Sequence, residues 1–129
     1  MKLLSKLLVV LFALAVSVNV AWALDCRNPQ SQTELNQCGN SDLERETKKI
    51  NKAYNDYRTK LNPEQKQDFK EVQLAWIKFK DLACKFEASG VEGGSAYSMI
   101  LSGCLTAKTI QRNKEIERCP PAGTACNHD

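Results

Sequence analysis

The sequence has little of what catalytic sites usually require. It contains one histidine, His128, which is the second-to-last residue. No Ser/His/Asp or Cys/His set of the kind used in nucleophilic catalysis can be assembled around it. Acidic residues are frequent, but Asp42, Glu44 and Glu46 are grouped where they would suit the positive end of a helix dipole. We therefore expect no catalytic residues and no cofactor, and we predict that the protein is not an enzyme.

A strong excess of charge is also missing. Of the 18 lysines and arginines, Lys2 and Lys6 lie in a predicted signal peptide, which leaves 16 to face 15 acidic residues. A nearly neutral chain argues against binding to nucleic acid, because such binding depends on a concentrated basic patch. The basic residues between positions 45 and 60 alternate with acids. This pattern is typical of a solvated helix face, and a binding face for an anionic polymer is the less favoured interpretation.

The N-terminal 23 residues have the pattern of a secretory signal peptide. Lys2 and Lys6 precede an apolar run over residues 7–18, and Ala21-Trp22-Ala23 forms a small-x-small cleavage site. The run is short for a spanning helix, so we expect no membrane attachment after cleavage. The prediction is an exported protein, periplasmic or secreted, with one domain over residues 24–118 and a tail over residues 119–129 that contains cysteine and proline.

Six cysteines follow the signal peptide, and an even number in a small exported chain indicates a disulfide framework. Many pairings are formally possible. Cys84 and Cys104 flank a glycine-rich stretch and would come level in a helical hairpin, so we predict that they are bonded. Two further pairs are candidates: Cys26 with Cys38, and Cys119 with Cys126. Zinc binding by Cys119, Cys126 and His128 fits no usual spacing, and we expect no metal.

Helical patterns dominate the predicted domain. Ser41-Asp42-Leu43-Glu44 matches a capping box, so we expect the first long helix to start there, after a short helix near residues 33–37. Asn62-Pro63 should end it and start the second. Two stripes at helical spacing predict that these helices lie antiparallel with their stripes facing. Their members are Leu43, Thr47, Ile50, Tyr54, Tyr57 and Leu61 in the first, and Phe69, Val72, Trp76, Phe79, Ala83 and Phe86 in the second.

A third helix is expected over residues 95–117, before Pro120-Pro121. The predicted fold class is therefore all-α, a small disulfide-stapled bundle of three main helices and a short N-terminal helix. Trp76, Phe79 and Tyr54 are the expected core residues.

Several separated residues together resemble the lysozyme inhibitor LprI-like domain. They are Cys26 and Cys38, Gln73, Trp76, Asp81 and Cys84, Gly93-Gly94, Cys104, Thr109 and Arg112. The order and spacing of the whole set carry the resemblance, which covers residues 26–117. It implies that the protein inhibits a lysozyme and protects peptidoglycan. A non-inhibitory interaction or structural module of the cell envelope, with the same fold, is the alternative. The oligomeric state is not readable from the sequence.

Two groups of residues are candidates for a site. Gln73 and Asp81 lie beside the second stripe, and we expect a structural bond there, with Arg112 as one partner. The stretch 87–95 is the candidate binding loop, through Glu87, Gly90, Glu92, Gly93 and Gly94. Its carboxylates would complement a basic enzyme. The competing interpretation is a plain helix connection whose glycines serve the turn.

Overall fold

The computed structural model describes residues 24–119, and within them the chain is all-α, as predicted. Three long helices follow one another: α1 (Gln32–Arg58), α2 (Pro63–Ala88) and α3 (Tyr97–Arg118), with a 3-10 turn at Ser89–Val91 between α2 and α3. None of the helices in this range is long and apolar enough to cross a bilayer. The predicted signal peptide and the tail after position 119 lie outside the described residues.

The start of α2 follows the sequence prediction closely. The Asn62 side chain accepts a hydrogen bond from the Gln65 amide at 2.9 Å, and the Gln65 side chain accepts one from the Asn62 amide at 3.0 Å. Pro63 occupies the first turn. This reciprocal box satisfies two of the amides that every helix start leaves without an internal partner.

The predicted start of α1 at Ser41 is wrong. Ser31 caps the helix instead, accepting from the Glu34 amide at 3.2 Å, so the short helix expected near residues 33–37 is the first part of α1. The helix continues through Gly39 even though glycine disfavours helix by about 1 kcal/mol. Glycine is needed at this position because a Cβ atom would overlap the hydroxyl of Ser102 on α3. Gly39 therefore allows a close helix–helix approach.

The expected packing of α1 against α2 is also wrong, because α1 lies mainly along α3. Helices α1 and α2 meet through an aromatic cluster near their connection. The Phe69 ring lies 5.0 Å from the Tyr54 ring and 4.8 Å from the Tyr57 ring. Helix α2 also packs on α3. Helix α3 is thus the shared partner of the other two.

Two disulfides join these elements in the predicted pairs. Cys84 on α2 is bonded to Cys104 on α3, and Cys26 is bonded to Cys38 on α1. The first closes the α2–α3 hairpin, and the second fastens the N-terminal segment to α1. Cys119 is also disulfide-bonded, whereas Cys126 lies outside the described residues.

The buried interior is small. Its apolar members are Cys38, Ile50, Leu61, Cys84, Ala88, Cys104 and Ile116. Phe79 is not a core residue, because 61% of its surface is exposed. Trp76 and Tyr54 are partly buried, at the edge of this interior. No aromatic side chain among residues 24–119 is fully buried, which limits the hydrophobic stabilisation of this interior, so disulfides matter more here than in a larger domain.

Candidate functional site

The connection between α2 and α3 has a defined path through short-range hydrogen bonds. The Ser89 hydroxyl donates to the Phe86 carbonyl at 2.7 Å, the Glu92 amide to the Ser89 carbonyl at 3.2 Å, and the Gly94 amide to the Val91 carbonyl at 3.0 Å. These bonds wind the chain into consecutive turns. The stretch is therefore a compact corner rather than an extended flexible loop.

Glycine is required at only part of this corner. Gly93 has φ +78°, the left-handed conformation that side chains with a Cβ atom disfavour. At Gly94 a Cβ atom would lie 3.1 Å from the Val91 carbonyl oxygen, which is tight. At Gly90 a Cβ atom would meet nothing within 4 Å. Gly93 and Gly94 therefore serve the turn, while Gly90 has no such local requirement.

Residues of all three helices support the corner. Ala88, at the end of α2, is fully buried, one turn after the completely buried Cys84. The Cys84–Cys104 bond ties that turn to α3. From α1, the Asn36 side-chain amide donates to the Ser95 carbonyl at 3.0 Å. This support leaves the corner little freedom to move as a separate lid.

The surface of the corner combines carboxylates with apolar side chains. Glu87 lies in the last turn of α2 and Glu92 follows the 3-10 turn; both are exposed. Within the described residues neither makes an ion pair. Beside them, Phe86 is 82% exposed and Val91 is 38% exposed. Phe86 cannot be recognised as a surface residue from the sequence, because its helical spacing places it in the expected core stripe.

Gln73 has the structural contact expected for it. It is buried, and the Arg112 side chain of α3 donates to its Oε1 atom at 3.3 Å. Arg112 also bonds Glu115 at 3.1 Å. Asp81 instead lies 3.5 Å from Lys80, its neighbour in sequence. Gln73 and Arg112 thus connect α2 to α3, which is a role in packing.

The basic residues of α1 form pairs with nearby acids. A surface cleft of about 350 Å³ lies between the ends of α1 and α3 and is lined by Lys49, Lys52, Asp56 and Glu117, among others. Lys49 bonds Glu46 at 2.8 Å, and Lys52 pairs with Asp56. Neutralising partners of this kind favour a solvated face over a site for an anionic polymer.

Glu46 is the most buried of the acidic residues that pair with the basic residues of α1. Its side chain is buried and lies 2.8 Å from the Lys49 ammonium group and 3.3 Å from the Arg45 guanidinium group. The hydrogen bond from Lys49, with a smaller contribution from Arg45, holds the pKa of Glu46 below its ordinary value, although burial opposes this. The lowered pKa reflects a structural ion cluster.

No group of three or more histidine, cysteine or acidic side chains within residues 24–119 is arranged to hold a metal ion. Of the three ligands considered for zinc, Cys119 is disulfide-bonded. Cys126 and His128 lie outside the described residues.

The fold and its corner define a small helical domain, stapled by disulfides, that presents a supported acidic and apolar surface. Comparison with known families places the chain more narrowly. The family described as lysozyme inhibitor LprI matches residues 26–116, so the chain belongs to that family. An uncharacterized protein of Rhizobium meliloti (strain 1021) is 29% identical over 106 residues, which cover 72% of this chain and 76% of the relative. No solved structure matches the chain significantly.

Proposed function

We propose that the protein is exported and inhibits a lysozyme by stoichiometric binding, which would protect peptidoglycan. Membership of the lysozyme inhibitor LprI family is the observation that carries this proposal. The disulfides of the described residues are consistent with an exported protein. Cleavage after Ala23, which the sequence pattern predicts, would give a mature chain that starts at Leu24.

The contact surface that we propose is the α2–α3 corner. Three properties support this choice. Glu87 and Glu92 are exposed and have no ion-pair partner in the described range, so they are available to a basic enzyme. Phe86 adds an exposed aromatic anchor of the type that dominates many interfaces. The support from Cys84–Cys104 and Asn36 keeps the corner ordered before binding, which lowers the entropy cost of association.

A turbidity assay tests this function directly. Lysozymes of several classes would digest peptidoglycan with and without the mature, oxidised protein. We expect inhibition that saturates near equal molar amounts of the two proteins. If no lysozyme class is inhibited, the alternative of a non-inhibitory envelope module becomes the better interpretation.

A second assay locates the contact surface. Replacing both Glu87→Gln and Glu92→Gln should weaken inhibition and reduce its dependence on salt, because long-range attraction is lost. Glu64→Gln combined with Asp68→Asn is the matched control, since both are exposed acids near the opposite end of α2 and the same number of charges is removed. Equal inhibition by the Glu87/Glu92 variant and the parent protein would move the contact away from the corner.

A further inference from the structure

Besides the face that packs on α3, helix α2 carries an apolar surface that stays exposed in the described part of the chain. We call it the α2 stripe; its members are Val72, Ala75, Phe79, Leu82 and Phe86. All five are exposed: Phe86 by 82%, Phe79 by 61%, Leu82 by 59% and Val72 by 52%, with Ala75 also on the surface. The residues of α2 that are buried against the domain, Gln73, Cys84 and Ala88, lie on a different face of the helix.

The spacing of the α2 stripe is that of a coiled-coil seam. Its members follow one another at steps of three, four, three and four residues, the pattern of alternating a and d positions. Because large aromatic side chains carry about 150–250 Å² each, the stripe exposes on the order of 500 Å² of apolar surface. That is near the upper end of what soluble monomers expose, and patches of this size mark interaction sites.

Charges beside the seam indicate what covers it. In this heptad register the g positions are Glu71, Lys78 and Lys85. When two copies of α2 pack antiparallel, g positions face each other, so Glu71 of each copy meets Lys85 of the other at both ends of the seam. Neither lysine forms an ion pair within residues 24–119. A parallel pair would instead place these residues beside Trp76, Ala83 and Gly90, with no opposite charge.

The same antiparallel register matches side-chain sizes. It places Phe79 of each copy opposite Ala75 of the other, and Val72 opposite Leu82, so the large ring meets the small side chain at the centre. Each contact occurs twice, as two-fold symmetry requires. Lys78 of one copy lies near Lys78 of the other, close to the two-fold axis. This like-charged pair opposes the dimer, as does Lys108 of each copy, which lies beside the central Phe79 ring.

A basic protein partner would meet the cations of the stripe without an opposite charge, whereas a second copy, which carries the same cations, also brings Glu71 to each Lys85. Lys78 and Lys85 border it, and the Lys108 ammonium group lies 5.5 Å from the centre of the Phe79 ring. These cations would repel a basic enzyme. The stripe is therefore electrostatically different from the acidic α2–α3 corner, although Phe86 belongs to both.

We propose that the protein self-associates through the α2 stripe as an antiparallel, two-fold symmetric dimer. Two such stripes together bury on the order of 1,000 Å², at the lower limit of specific interfaces, so we expect a weak dimer in equilibrium with the monomer. This proposal does not depend on lysozyme inhibition, although the dimer would cover Phe86, so a lysozyme bound at the α2–α3 corner and a second copy would compete for that residue.

Sedimentation equilibrium of the mature, oxidised protein from low micromolar to submillimolar concentration tests the dimer. We expect a monomer–dimer equilibrium that Phe79→Glu abolishes. Leu74→Glu is the matched control, because Leu74 is a similarly exposed apolar residue of α2, 55% exposed, outside the stripe. The helix content of both variants, measured by circular dichroism, should equal that of the parent. A parent that stays monomeric throughout, or a dimer that survives Phe79→Glu, overturns the proposal.

Charge exchange tests the antiparallel register. Glu71→Lys should weaken the dimer at least tenfold, and combining it with Lys85→Glu should restore it. Lys78→Ala should tighten it, because the like-charged pair near the axis is removed. If the combined variant stays as weak as Glu71→Lys, the antiparallel register is wrong. Loss of lysozyme inhibition or of lipid-vesicle binding in Phe79→Glu, with a parent that never dimerises, would assign the stripe to those partners instead.

Discussion

Removing the Cys84–Cys104 disulfide should destabilise the domain more than removing Cys26–Cys38. The perturbation is the double replacement Cys84→Ala and Cys104→Ala. The bond closes 20 residues, for which chain entropy predicts about 3 kcal/mol of stabilisation. Both sulfur atoms lie in the buried interior, so removing them should cost about 1 kcal/mol more through lost packing. The expected loss is about 4 kcal/mol, a large share of the stability of a small domain.

Cys26→Ala with Cys38→Ala provides the comparison. This bond closes 12 residues, and chain entropy again predicts slightly under about 3 kcal/mol. Cys26 is exposed and belongs to a segment with little burial, so the packing loss should be small. Unfolding by urea, followed by far-ultraviolet circular dichroism, measures both variants against the parent. Hydrogen exchange at the Glu92 and Gly94 amides should rise only in the first variant, because Cys84–Cys104 supports the corner.

Two results would refute this reasoning. If the two double variants lose the same free energy of unfolding, burial of the sulfur atoms contributes nothing measurable. If the Cys84/Cys104 variant keeps parental exchange at the corner, the turns and Asn36 hold the corner without the disulfide. In that case the disulfide acts only on the unfolded chain.

Three further predictions concern single residues. Phe79→Ala should change the monomer's free energy of unfolding by less than about 1 kcal/mol, whereas Trp76→Ala, at a partly buried site, should lower it by about 2–3 kcal/mol. If urea unfolding gives the reverse order, the burial of these two residues is contradicted. Gly93→Ala should lower stability by about 1–2 kcal/mol because of its positive φ, with Gly90→Ala as a nearly neutral control; equal melting temperatures would show that the turn relaxes. The folded-state pKa of Glu46 lies below its ordinary value of 4.5, so the stabilisation from the charged carboxylate is present above pH 4.5 and is lost as pH falls through the folded pKa. The free energies of unfolding of the parent and of Glu46→Gln, measured by urea titration, should therefore converge in acid. A difference that stays constant with pH would exclude this linkage.

Much of the local structure was available from the sequence. Asn62-Pro63 identifies the start of α2 because capping and proline preferences depend only on neighbouring residues. Cys84 and Cys104 could be paired because the glycine-rich stretch between them implies a hairpin. Gln73 could be assigned a structural bond because a polar side chain beside a helix seam requires a partner. The candidate corner and the cleavage site at Ala23 were also inferred from sequence, and both stay predictions.

The tertiary structure decided which surfaces of these helices meet. Sequence periodicity shows that α2 has an apolar stripe, but a stripe packs equally well in a core or in a seam with another molecule. Packing of both α1 and α2 on α3 leaves Phe79 and Phe86 outside, where spacing alone had placed them inside. The start of α1 is a similar case: Ser41 has a local capping pattern, yet α1 runs from Gln32 through Ser41 and packs closely on Ser102 of α3 at Gly39. Helix ends set by neighbouring residues can be read from sequence, whereas choices among helix faces depend on partners distant along the chain.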